Sequence, residues 1–146
     1  MILAALFMLI AVSGRADGGD VCLGRSQMVQ AIAQADQADR MDSDGKSKND
    51  IDWKVVSKRD RERREQIAKI SADGCLKTAE DFAGAAIVYQ HGNLPQDYFK
   101  AYSWSNKAVA LGLEGYKTLA AMALDRYLMN IGRKQIYASQ ATERGG

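Results

Sequence analysis

The sequence predicts an all-α protein of about five helices, paired as antiparallel hairpins. Two observations carry this reading. Apolar residues recur at steps of three and four instead of alternating, and β-branched runs of the kind that build sandwiches or barrels are few. Glycines punctuate the pattern: Gly74, Gly92, Gly112 and Gly132 each stand where a helical stretch stops. With 146 residues, 47% of them hydrophobic, the chain has the size and apolar content of one folded unit.

The chain opens on an apolar run from Ile2 to Val12. The run is shorter than the ~20 residues that span a bilayer, but it fits the hydrophobic segment of a signal peptide. Gly14-Arg15-Ala16 supplies a small-x-small cleavage pattern, although no Lys or Arg precedes the run. Residues 1–16 are therefore expected to be a signal peptide cleaved after Ala16. Loss of Arg15 leaves 19 basic and 18 acidic residues, a charge of +1 in place of +2. No lipid-attachment pattern precedes Cys22. The expected location is periplasmic or secreted, with no stable membrane insertion once the signal is removed. In an oxidising compartment Cys22 and Cys75, the two cysteines of the chain, are expected to form a disulfide. The absence of Cys-x-x-Cys argues for a staple instead of a redox centre.

Residues 17–50 read as an N-terminal helix and a polar linker. From Ser26 to Asp39, Met28, Ile32 and Ala35 share a weakly amphipathic surface face. Arg40 to Asn49 is polar and contains Gly45. The helical domain is expected over 51–140, with a loose tail over 141–146. Its first helix, from about Ile51 to Ala72, carries Trp53, Val56, Ile67 and Ile70 on one stripe, with Asp60 and Arg63 on the same stripe. Charges facing a core require partners. Thr78-Ala79-Glu80-Asp81 has the shape of a capping box opening the next helix, which bears Phe82, Ala85, Ala86, Val88 and Tyr89. A fourth helix is expected from about Gln96 to Leu111 after Pro95. A fifth, Glu114 to Asn130, is apolar nearly all round and reads as the central buried helix. Arg133 to Gln140 is expected to fold back over the bundle.

Two resemblances add to this. Ala86-Ile-Val-Tyr89-Gln-His-Gly92, Asp97-Tyr98-Phe-Lys100-Ala101, Trp104, Lys107-Ala108 and Gly112 together resemble one unit of the Sel-one-like repeats, relatives of tetratricopeptide repeats, over about 83–118. The resemblance implies a repeat-like core in which small residues let two helices pack closely. More broadly, Gln90-His91-Gly92, Asp125-Arg126-Tyr127-Leu128, Gly132-Arg133-Lys134-Gln135, Tyr137 and Gln140 resemble a family of exported bacterial proteins known as a domain of unknown function. The final motif of that family is Gln-x-Tyr/Phe-Gly-Thr/Ser-Gln, and in this chain, Gln135 to Gln140, Ala138 stands in place of the glycine. The resemblance implies a fold and a set of polar residues, and no activity.

The candidate site is a polar cluster of Asp60, Arg63, His91, Asp125, Arg126, Gln135, Tyr137 and Gln140, expected to meet in one place. Asp125 and Arg126 interrupt the most apolar helix, and neighbours about 100° apart cannot share a face, so at least one needs a partner, for which Asp60 and Arg63 are the natural source. One reading is a buried network that fixes helix register. The other is a small pocket with Asp125 and His91 as acid and base, and Arg63 or Arg126 as an anion ligand.

Other chemistries are excluded. One His and two Cys cannot supply a four-ligand zinc site. Lys58 to Arg64 holds five bases, but acids are interleaved and no aromatic residue lies beside them, so it reads as a solvated face and not as a nucleic-acid contact. Gly45-Lys46-Ser47 lacks the upstream glycine of a phosphate loop, and Asp42-x-Asp44-Gly45 lacks the flanking ligands of a calcium loop. No Gly-x-Ser-x-Gly elbow is present, and Tyr98, Tyr102 and Trp104 read as packing. No cofactor is expected. The function expected first is an exported protein–protein interaction module with a partner in the cell envelope. The alternatives are a small hydrolase-like enzyme using the Asp/His/Arg cluster, and a purely structural periplasmic protein.

Overall fold

The computed structural model describes residues 18–40 and 51–140. The expected signal peptide, most of the polar linker and the tail lie outside the described residues. Five α-helices follow in order: α1 (Gly18–Ala38), α2 (Trp53–Ala72), α3 (Ala79–Tyr89), α4 (Pro95–Ala110) and α5 (Lys117–Asn130). A single 3-10 turn, Glu114–Tyr116, precedes α5, and no strand occurs among the described residues. The fold is all-α.

The central helix is α3, not α5. It buries Ala83, Gly84, Ala85, Ala86, Val88 and Tyr89 and touches α1, α2 and α4. Its run of small residues lets three helices approach one axis, which bulkier side chains would prevent. In contrast, α5 packs mainly on α4 and buries only Ala120, Ala123 and Asp125. Its apolar character is spent on a broad, half-buried outer face.

Helix α1 also departs from the sequence reading. It starts well before Ser26, and Val29, Ile32, Ala33 and Asp36 face the core while Met28 is exposed. Val29, Ile32 and Ala33 join Ile67, Ile70, Val88 and Tyr89 in one apolar cluster, so α1 shares the core of the 51–140 segment. In α2, Val56, Ile67 and Ile70 are buried as the stripe requires, but Trp53 is 53% exposed.

Cys22 and Cys75 are joined in a disulfide across 53 positions. Closing a loop of that length is worth about 4 kcal/mol in the chain-entropy treatment. One turn further along α1, the Ser26 hydroxyl donates to Asp81, whose other oxygen accepts the Lys77 and Thr78 amides, each at 2.9 Å. The capping box read from Thr78 and Asp81 is present, and Asp81 is fully buried because it also receives α1. Burial alone would raise its pKa, but the Ser26 and backbone bonds hold it below the ordinary carboxylate value.

The helix ends obey two rules. After α2, α4 and α5 the chain turns through Gly74, Gly112 and Gly132, all at positive φ. The next amides reach back five residues, Cys75 to Ile70, Leu113 to Ala108 and Arg133 to Leu128, so each helix caps itself. Helix α3 does not. Gly92 has no positive φ and serves a different need: a Cβ there would lie 2.2 Å from Asp97 Cβ. Gly92→Ala is expected to cost several kcal/mol by forcing α3 and α4 apart, on the scale of about 1–3 kcal/mol or more seen for overpacking. An unchanged thermal midpoint for this variant would contradict the close packing described.

Candidate functional site

No left-handed glycine turns the chain back after α3, and the carbonyls of the three residues that follow it, Gln90, His91 and Gly92, find donors on other helices. Three neighbouring helices supply them. Gln90 O accepts from Arg126 Nη1 of α5 at 2.8 Å, His91 O from Arg64 Nη1 of α2 at 3.0 Å, and Gly92 O from the Tyr98 hydroxyl of α4 at 2.7 Å. Two guanidinium groups thus stand at the negative end of the α3 dipole. Arg64 is further held by Asp97 at 3.6 Å, and the Tyr89 hydroxyl donates to Arg64 O at 3.2 Å.

The eight predicted polar residues do not form one cluster. They divide into two networks on either side of this hub. In the first, Asp60 and Arg63 find their partners on α1, not on α5. Arg63 binds Asp39 at 2.6 Å, Asp60 at 3.3 Å and Ala35 O at 3.1 Å. Arg40 pairs with Asp60 and donates to Asp36 O at 2.8 Å, and Arg59 binds Asp39 at 2.8 Å. Partial burial opposes charge on Asp39, yet Arg63 and Arg59 hold its carboxyl below the usual range. The charge run of α2 is therefore only partly a solvated face, since Asp60, Arg63 and Arg64 point inward. His91 Nδ1 lies 2.9 Å from Asp36 Oδ2, a contact that needs the hydrogen on Nδ1. Asp36 is fully buried, and its Oδ1 has no hydrogen-bond partner.

The second network belongs to α5 and the segment after it. Asp125 is fully buried, and both of its oxygens are saturated. Oδ1 accepts the amides of Ile136 (2.8 Å) and Tyr137 (3.0 Å), and Oδ2 accepts the amide and hydroxyl of Ser139 (2.8 Å each). Burial would raise the Asp125 pKa, but these four donors overcome it and bring it to about 2. Arg126 Nε donates to Gln140 Oε1 at 2.9 Å, and Gln135 and Gln140 exchange side-chain–backbone bonds at 3.0 and 2.8 Å. Residues 135–140 are thereby strapped onto α5, as the sequence suggested for Arg133 to Gln140. Tyr137 contributes its amide only, and its side chain is exposed. Ala138 sits at φ +51°, the left-handed conformation that a glycine adopts without cost.

Sequence reasoning missed Asp36, Asp39, Arg40, Arg64, Asp97 and Tyr98. The signal for Asp36 was present: it continues the Val29–Ile32–Ala33 stripe of α1, as Asp60 continues that of α2. The register chosen through Met28 hid it.

Two openings adjoin these networks. A pocket of about 470 Å³ is lined by Arg40, Ile51, Trp53, Asp60 and His91. A groove of about 440 Å³ between α4 and α5 is lined by Pro95, Gln96, Phe99, Lys100, Tyr127 and Ile131. In it the Phe99 and Tyr127 rings pack at 5.2 Å, with Phe99 48% exposed. Among the described residues no helix is long and apolar enough to cross a membrane, and no group of three His, Cys, Asp or Glu side chains is placed to hold a metal ion. No family model, curated protein or solved structure matches the chain.

Asp125 gives a direct test of the strap. Its folded pKa lies below the unfolded value of 3.8, so the stabilisation is fully present above about pH 4 and is lost as pH falls toward 2. Asp125→Asn places an amide donor against amide donors and is expected to cost on the order of 2 kcal/mol. Hydrogen exchange at the 136, 137 and 139 amides should become fast in the variant at neutral pH. Retained protection there would refute the assignment.

Proposed function

We propose that this is an exported helical module that binds another protein through the groove between α4 and α5. The observation that carries the reading is the wall made by exposed Phe99 and Ile131 around the half-buried Tyr127, on a surface where isolated apolar residues would be unremarkable but a lined groove is not. The basic pair Arg133-Lys134 follows Ile131 after one glycine, and Lys100 stands on the opposite rim. The fitting partner is a segment presenting one or two large apolar side chains flanked by acidic residues. Helix hairpins of the tetratricopeptide type bind partners on such faces, and the Sel-one-like unit over 83–118 is read in the same sense, as a fold-level analogy. The saturation of Asp125 supports this reading over a hydrolase that uses Asp125 as acid or base.

Peptides selected by display against the protein are expected to carry an apolar–acidic pattern, and Phe99→Ala should weaken them about ten-fold or more, as loss of a hot-spot aromatic does. Peptides bound equally well by wild type and Phe99→Ala would overturn the groove assignment.

Export is part of the proposal and rests on Ile2–Val12, the Gly14-Arg15-Ala16 pattern and the disulfide, which suits an oxidising compartment. N-terminal sequencing of the protein recovered from its native cells should begin at Asp17. Recovery of protein that retains residues 1–16 would contradict export by this route.

A further inference from the structure

The second opening, between the ends of α1 and α3 and the start of α2, has a chemistry unlike the apolar groove. We propose that it binds a sugar ring, in a site independent of the α4–α5 face. The indole of Trp53 is 53% exposed on the pocket wall, although a tryptophan at the start of an amphipathic helix would ordinarily be drawn into the core. A planar, electron-rich face of this kind takes the C–H face of a pyranose.

Around it stand three planar polar groups: the Asp60 carboxylate, the Arg40 guanidinium and the His91 imidazole. Adjacent sugar hydroxyls both donate and accept, so they match a carboxylate and a guanidinium held side by side, as Asp60 and Arg40 are. His91 adds a fixed hydrogen-bonding atom. With its Nδ1 engaged by the fully buried Asp36, the ring orientation is set and Nε2 remains for a hydroxyl in the pocket. Ile51 completes an apolar rim.

Charge selects against other ligands. Among the described residues Asp36, Asp39 and Asp60 are balanced by Arg40, Arg59 and Arg63 through direct pairs, and these groups offer no excess of either sign to a phosphate or a cation. A neutral polyol is the class that remains. The volume of about 470 Å³ lies in the range of small-molecule sites. Asp36 Oδ1, buried and without a hydrogen-bond partner, has Arg40 Nη1 3.3 Å away. When a ligand hydroxyl competes for Asp60, Arg40 has a second carboxylate oxygen to which it can turn.

The test titrates the protein with N-acetylglucosamine, its β-1,4 disaccharide and cellobiose in the millimolar range, with inorganic phosphate in parallel, following tryptophan fluorescence and Trp53 indole N–H shifts in NMR. At least one sugar is expected to saturate and to shift the Trp53 signal more than that of Trp104. Trp53→Ala should weaken binding about ten-fold or more, and His91→Gln should weaken it while the fold, read by circular dichroism, is retained. Phe99→Ala should bind as wild type, which separates this site from the groove. Three results would each overturn the proposal: no saturation by any sugar, saturation by phosphate alone, or sugar binding unchanged in both Trp53→Ala and His91→Gln.

Discussion

The arrangement depends on one unfinished helix end. Where α2, α4 and α5 are closed by a left-handed glycine, α3 runs out into the carbonyls of Gln90, His91 and Gly92, and Arg126, Arg64 and Tyr98 bind these from three different helices. A fully buried carbonyl without a donor costs about 1–3 kcal/mol, and these three half-buried ones, each bound by a different helix, together constrain where α2, α4 and α5 stand. Satisfying it fixes the helix positions more narrowly than apolar burial alone, which is non-directional. It also explains why the most buried helix is short and rich in small residues: α3 must be reached from all sides.

The two polar networks follow from that hub. On one side Arg64 anchors α2 to the end of α3, which brings Asp60 and Arg63 against the last turn of α1 and sets His91 on Asp36. On the other, Arg126 anchors α5, and the neighbouring Asp125 turns away by about a quarter of a circle to gather the strap. The two residues that interrupt the apolar pattern of α5 therefore do separate jobs. One reaches the hub and the other holds the chain that follows.

Much of the fold was legible because its signals are local. The glycine stops, the Thr78–Asp81 box and the α2 stripe each depend on residues within a few positions of one another. What could not be read was pairing between elements distant in sequence. Apolar richness made α5 look central, yet centrality goes to the helix slim enough to be surrounded, and Ala83 to Ala86 were the quieter sign of that. Buried charge in α2 was identified from its stripe, but its partners Asp39 and Arg40 sat in a stretch that looked like surface and linker. The polar residues of the candidate site were mostly recognised, while their grouping was not, because nothing in the spacing says that α5 turns its back on α2.

The link between Cys22 and Cys75 has a topological consequence. It closes a ring of chain that contains nearly all of α1, the segment after it and the whole of α2. A single cut of the backbone anywhere within that ring opens it without producing two molecules. In surroundings where proteases are abundant, the protein could be nicked there and still keep α1 tethered beside α3, with Ser26 and Asp81 holding the join in register.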